Sequence, residues 1–170
     1  IRTVFAINQF TITSTSGLNG NISPLGVINV SFGSTQTFIM RPNTGYHVDS
    51  VKVDGIYVGN DTTYTFVNIN ANRTISVMYA PNLLTISVRT NTSSLNIIVD
   101  GVTYTSPQTF TWTAATNHTI STDTIQSLVI GTRYVWSNWS DSGNRTHTVT
   151  PLVNTTYTAN FTTQYYLTMV

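Results

Sequence analysis

The chain has 170 residues, of which 40% are hydrophobic and only 8% charged, and its net charge is +1. That apolar share excludes wholesale disorder, and at roughly 100–200 residues per domain the length allows one domain or two small ones. The absence of cysteine excludes disulfide scaffolds, thiol catalysis and cysteine-ligated zinc, and seven scattered basic residues give no footprint for nucleic acid or anionic membrane. Glutamate is missing and Lys52 is the only lysine, while threonine occurs 33 times, asparagine 17 and serine 16. Helices draw on Glu, Lys, Ala and Leu; Thr, Val, Ile, Tyr and Phe with Asn and Ser belong to strands and turns. The expectation is an all-β protein without significant helix. No apolar run reaches the roughly 18 residues of a membrane helix, so no membrane insertion is expected. Ile1 in place of Met reads as a processed or excised chain.

In chain order, Phe5-Ala6-Ile7-Asn8-Gln9-Phe10-Thr11-Ile12 returns as Tyr79-Ala80-Pro81-Asn82-Leu83-Leu84-Thr85-Ile86, 74 residues on. A weaker copy, Phe161 to Thr168, follows after another 82. The runs before these junctions agree too: Asn72 to Tyr79 parallels Asn154 to Phe161. Such self-similarity marks tandem units. Residues 9–81 and 82–163 read as two small antiparallel β-sandwich-like modules, Ig-like in size. Residues 1–8 read as the closing strand of a preceding module or as a donor strand, and 164–170 as the opening strand of a following one.

Alternating segments separated by turn residues fill both modules. Val27 to Phe32 places Ile28, Val30 and Phe32 on one face. Val51-Lys52-Val53-Asp54-Gly55-Ile56-Tyr57-Val58 and Ile97-Ile98-Val99-Asp100-Gly101-Val102-Thr103-Tyr104 are hairpins, because Asp-Gly accepts the positive φ of a two-residue turn. Residues 122–132 read as a long loop. In 134–141 strict alternation points Val135 and Trp139 inward, Trp136 and Asn138 outward. Tyr157, Ala159 and Phe161 share an inner face.

Gly20-Asn21-Ile22-Ser23-Pro24-Leu25-Gly26, Gly33 to Phe38, Pro42 to Val48, Val51 to Gly55 and Tyr64 to Ile75 resemble the divergent internalin-type B-repeat, a β module found in tandem on prokaryotic surface and secreted proteins. The second module begins differently. Val99-Asp100-Gly101, Ser106 to Phe110 and Asn117 to Ile120 resemble a PEGA-type surface hairpin. Tyr134 to Asp141, His147 to Val149 and Tyr157 to Phe161 return to the B-repeat pattern. The strand order of this module stays open. The resemblance implies an extracellular spacer or adhesion module and no catalyst.

Ten asparagines head Asn-X-Ser/Thr tripeptides: Asn21, Asn29, Asn60, Asn72, Asn91, Asn117, Asn138, Asn144, Asn154 and Asn160. Chance placement of Ser and Thr gives about five. Thr-rich strands produce some by accident; covalent N-glycans, solvating a charge-poor surface, are the other reading. Asn29 and Asn160 fall on outward strand positions, and Asn21, Asn60, Asn72, Asn144 and Asn154 in turns. No acidic residue stands two positions before any of them, which leans toward an archaeal or eukaryotic glycosylation system.

Trp112 and Trp136 are candidate carbohydrate contacts, since an exposed indole stacks on a sugar ring; the ordinary use of such residues is core packing. Asp141-Ser142-Gly143 has the lettering of an aspartic-protease motif without the second carboxylate that chemistry requires, so it reads as a turn. Calcium at Asp141 and Asn144 lacks ligand density. His47, His118 and His147 stand apart, without metal spacing. Lys52 lacks the glutamate that usually assists an isopeptide crosslink. No catalytic residue, metal or cofactor is expected. The sequence points to a structural protein of a filament or surface stalk, partnered head to tail by copies of itself, with a carbohydrate-binding adhesin as the alternative.

Overall fold

The structure is a computed structural model that describes residues 8–167. Among these there is no helix, and the strands form two compact units, the chain dividing between Asn82 and Leu83. Most of the two expected terminal strands, residues 1–7 and 168–170, lies outside the described residues.

The first unit contains β1 (Gln9–Ser16), β2 (Gly20–Ser23), β3 (Gly26–Ser31), β4 (Gln36–Pro42), β5 (Tyr46–Val53), β6 (Ile56–Gly59), β7 (Thr63–Phe66) and β8 (Arg73–Pro81). They form a five-stranded sheet, β3-β1-β8-β5-β6, and a three-stranded sheet, β2-β4-β7. Only β1 and β8 run parallel. Period-2 alternation sets the faces: β1 buries Ile12 and Ser14 and turns Thr11, Thr13 and Thr15 outward. Ile12, Val30, Val51, Ile75 and Val77 of the larger sheet pack with Ile22, Phe38, Met40 and Phe66 of the smaller. Each such side chain contributes about 1.5–3 kcal/mol by leaving water. The buried Ser14 hydroxyl is satisfied, donating to the Pro24 carbonyl at 2.8 Å. Phe32 falls just past the end of β3 and is exposed, against its expected inner position.

The second unit contains β9 (Leu83–Thr90), β10 (Asn96–Val99), β11 (Val102–Thr105), β12 (Gln108–Thr113), β13 (His118–Ser121), β14 (Ile125–Gln126), β15 (Thr132–Trp139), β16 (His147–Val149) and β17 (Thr155–Tyr165). Its sheets are β12-β9-β17-β15-β14 and β11-β10-β13-β16, with β9 and β17 as the parallel pair. Leu84, Ile86, Val88, Trp112, Trp139, Tyr157, Ala159 and Phe161 pack with Ile97, Val99, Ile120 and Val149. The strand order that the sequence left open is therefore that of the first unit. Without β6, β11 and β14, both read 3-1-7-5 in one sheet and 2-4-6 in the other, counting the seven shared strands in chain order.

Local landmarks repeat with the frame. A cis Ser–Pro bond precedes β3 (Ser23–Pro24) and β12 (Ser106–Pro107). Asn72 and Asn154 stand just before the closing strands, and their Oδ1 atoms accept the Thr11 and Thr85 N–H groups at 2.9 and 2.8 Å. Both Asp-Gly hairpins form, with φ of 49° at Asp54 and Asp100 and 80° and 81° at the glycines. One hairpin extends the larger sheet and the other the smaller.

A β-bulge repeats as well. Val48 pairs with Tyr79 and Ser50 with Met78, leaving Asp49 as the extra residue. In β15, Trp136 pairs with Phe161 and Asn138 with Asn160, leaving Ser137. An extra residue shifts the alternation, which corrects the expected outward placement of Trp136. Trp136 lies opposite buried Phe161, Trp139 opposite buried Ala159, and both indoles face the core.

Two further expectations change. Residues 122–132 are not all loop: β14 pairs Ile125 with Val135 and Gln126 with Tyr134. The Gln126 carboxamide accepts the Asn96 N–H at 2.6 Å and donates to the Asn96 carbonyl at 2.8 Å, standing in for a strand partner. β17 runs on to Tyr165, paired with Thr132, so Gln164 and Tyr165 belong to the closing strand and not to the start of another module.

Candidate functional site

The surface features singled out by sequence are the ten tripeptide asparagines and two tryptophans. Nine of the asparagines are exposed; Asn160 is half-buried. Asn21 lies within β2 and not in a turn, whereas Asn60, Asn72, Asn144 and Asn154 lie between strands and Asn29 on β3. Asn138 and Asn160 are direct cross-strand partners. The Asn117 Oδ1 accepts the Thr150 hydroxyl at 2.7 Å. Asn91 differs from all of these. Its Oδ1 accepts the Phe161 N–H at 2.9 Å and its Nδ2 donates to the Phe161 carbonyl at 2.9 Å.

Two of the tripeptides are gripped by hairpin aspartates, a role the sequence did not reveal. Asp54 accepts the Thr74 N–H at 2.8 Å and pairs with Arg73 at 3.0 Å, next to Asn72. Asp100 accepts the Thr119 N–H at 2.8 Å and meets His118 at 2.7 Å, next to Asn117. Burial pushes the Asp100 carboxyl up, but the His118 and Thr119 hydrogen bonds and the His118 charge outweigh it and hold the group below the usual carboxylate range.

His118 also meets the Thr116 hydroxyl at 3.0 Å. Carboxylate, imidazole and hydroxyl in series is the layout of a nucleophilic triad. Here, however, the Thr116 hydroxyl donates to the Thr113 carbonyl at 2.6 Å, and the Trp112 ring covers the imidazole at 3.8 Å, 7° from parallel. The group ties a strand end in place. His147 is likewise held, with Nε2 2.9 Å from Asp141 and Nδ1 2.6 Å from the Asn144 carbonyl. His47 lies 2.7 Å from the Asn82 Oδ1.

Trp112 is 6% exposed, which removes it as a carbohydrate platform. The signal was present in Thr109-Phe110-Thr111-Trp112-Thr113, whose alternation puts Trp112 inside with Phe110. Trp136 is half-buried against the core, and its Nε1 is enclosed without a hydrogen-bond partner.

Asp141-Ser142-Gly143 is a turn: the Gly143 N–H donates to Asp141 Oδ1 at 3.2 Å, and Ser142 has φ 65°. With the other Asp141 oxygen on His147, the carboxylate has little left for calcium. Among the described residues, no three His, Cys, Asp or Glu side chains gather as metal ligands, and no helix is long and apolar enough to cross a membrane. A hollow of about 390 Å³ is lined by Phe66, Val67, Asn68, Ile69, Asn70 and Arg73, and Asp54 already holds the Arg73 guanidinium. Comparison of the chain with family models, curated proteins and solved structures gave no match.

Proposed function

We propose that the chain is part of a non-enzymatic extracellular repeat protein, a glycosylated surface filament or spacer stalk. The observation that carries this reading is the repetition of one seven-strand frame in tandem, with Asn-X-Ser/Thr tripeptides exposed on both copies. The outer faces add to it. Thr11, Thr13 and Thr15 on β1 and Thr109 and Thr111 on β12 give a hydroxylated surface that stays hydrated without charge. The three histidines and the turn aspartates Asp54, Asp100 and Asp141 are engaged in holding strands and turns.

In this reading the resemblance to internalin-type B-repeats reflects a shared use as spacers, and the glycosylation machinery is archaeal or eukaryotic in type. Partner copies join head to tail through terminal strands. The adhesin alternative rests on Trp136 alone, and its half-burial favours packing.

Glycopeptide mapping with an intact-mass spectrum of native material tests the proposal. At least half of the ten tripeptides should carry glycans, and unmodified Asn29 and Asn72 would sink the glycoprotein reading. Electron microscopy of the same material should show filaments or stalks. Glycan-array binding lost on Trp136→Ala would move the assignment to the adhesin.

A further inference from the structure

The geometry points to a sorting of the tripeptide asparagines by the fold: Asn72 and Asn154 are glycan anchors, Asn91 is not, and Asn138 and Asn160 take one glycan between them. This rests on the glycoprotein reading and specifies its sites. In N-glycosylation, Nδ2 forms a bond to C1 of a sugar carried on a phosphate or diphosphate. The C1–O bond breaks, the phosphate leaves with the electron pair, and Nδ2 releases one proton to solvent. The product is a secondary amide, which is trans. The sugar therefore replaces the Nδ2 hydrogen lying on the same side as Oδ1.

That is the hydrogen Asn91 has committed. Both of its bonds go to one residue, the N–H and the carbonyl of Phe161. Side-by-side bonds of this kind use Oδ1 and the hydrogen next to it. A sugar on Asn91 would put C1 between Nδ2 and the Phe161 oxygen, which are only 2.9 Å apart, far inside van der Waals contact with that oxygen. β17 has no room to retreat, because Phe161 is 5% exposed and belongs to the core.

Asn72 and Asn154 are held differently. Each uses only Oδ1, toward Thr11 and Thr85, and neither Nδ2 has a hydrogen-bond partner among the described residues. Both residues are exposed. The single bond fixes the carboxamide plane and leaves the nitrogen available. Asn138 and Asn160 sit directly opposite one another, with Cβ atoms about 4.5–5.5 Å apart by ladder geometry. Two pyranose rings do not stand side by side at that distance. Asn138 is the more exposed and takes the glycan.

The test reacts the folded, unmodified full chain with a soluble N-glycosyltransferase and UDP-glucose, beside synthetic peptides spanning each of the five sites. Peptide mapping by mass spectrometry follows each site. In the folded chain, Asn91 should react at least about tenfold more slowly than in its peptide, since two hydrogen bonds must first break. Asn72 and Asn154, each compared with its own peptide, should be slowed far less than Asn91, and no molecule should carry hexose on both Asn138 and Asn160. Asn91 reacting at its peptide's rate, or doubly modified Asn138 and Asn160, overturns the sorting. An unreactive Asn91 peptide also overturns it, by assigning the effect to local sequence. Native material without glycans would defeat the glycoprotein reading while leaving this in vitro sorting intact.

Discussion

At the bulge of the first unit, Val51 lies opposite Val77; at the matching place in the second, Trp139 lies opposite Ala159. All four are buried. One module fills the space with two middle-sized side chains, the other with the largest side chain and nearly the smallest. The register is common to both, while the volume is shared out differently across the pair. Cores accept such exchanges when total volume is kept. What the modules hold in common is thus backbone pairing, including an extra residue on the fifth shared strand, and not a set of core residues. The three tryptophans all lie in the second unit, so indole fluorescence follows that unit alone and circular dichroism follows both.

The largest expected effect comes from removing the extra residue. Deleting Ser137 restores strict alternation in β15 and turns one of the two indoles outward, because a one-residue slip moves side chains to the other face. The second unit should lose its native fluorescence and cooperative transition; an unchanged melt would show that the bulge is dispensable. Deleting Asp49 should do the same to the first unit and leave fluorescence alone.

Next in size, Trp139→Ala should cost about 3–5 kcal/mol and Val51→Ala about 2 kcal/mol in urea titrations. Ala159→Val alone should overpack at about 1–3 kcal/mol. Paired with Trp139→Val it should cost less than the two single changes summed. Strict additivity would mean that volume is not shared across the pair.

Asp54→Asn and Asp100→Asn should each cost about 1 kcal/mol, less than the roughly 1.5–3 kcal/mol of a hydrogen bond to a charged group, because both carboxylates are partly solvated. A silent Asp54→Asn would confine the aspartate grip to the second unit.

The smallest effect is acid sensitivity. The folded pKa of Asp100 is depressed, so its stabilisation is present above the unfolded value of about 3.9 and is lost as pH falls through the folded one. Between pH 5 and 2 the second unit should lose a little stability, and Asp100→Asn should abolish that slope. With six aspartates and no glutamate in the chain, the melting temperature should fall by less than about 15 °C between pH 6 and 2.

The legible part of the fold lay in alternation and turn chemistry. Tyr157, Ala159 and Phe161 are buried together as their spacing indicates, and both Asp-Gly hairpins close where the dipeptides stand. What sequence did not disclose depended on single residues without a local signature. Asp49 and Ser137 are ordinary polar residues, and nothing in their neighbourhoods marks a bulge, so the facing of Trp136 came out reversed. The Gln126 and Asn91 clamps join residues 30 and 70 positions apart. Such pairings exist only once the sheets are assembled. At the candidate sites, exposure of Asn29, Asn60, Asn72, Asn144 and Asn154 agrees with their expected positions in turns and on an outer face, whereas Asn21 lies in a strand and Asn160 is half-buried; the bonding state of each amide came only from the fold.

The parallel pairing of opening and closing strands has a mechanical consequence. In the first unit, residues 12–16 lie beside 73–77 with both strands pointing the same way; in the second, residues 86–90 lie beside 155–159. Tension applied at the two ends of a unit draws these neighbours in opposite directions along their own length. Every bridging hydrogen bond is then loaded at once, in shear, whereas a hairpin pulled at its open end yields one bond at a time. Each unit resists stretching as a lap joint does, and its breaking force is set by the whole overlap.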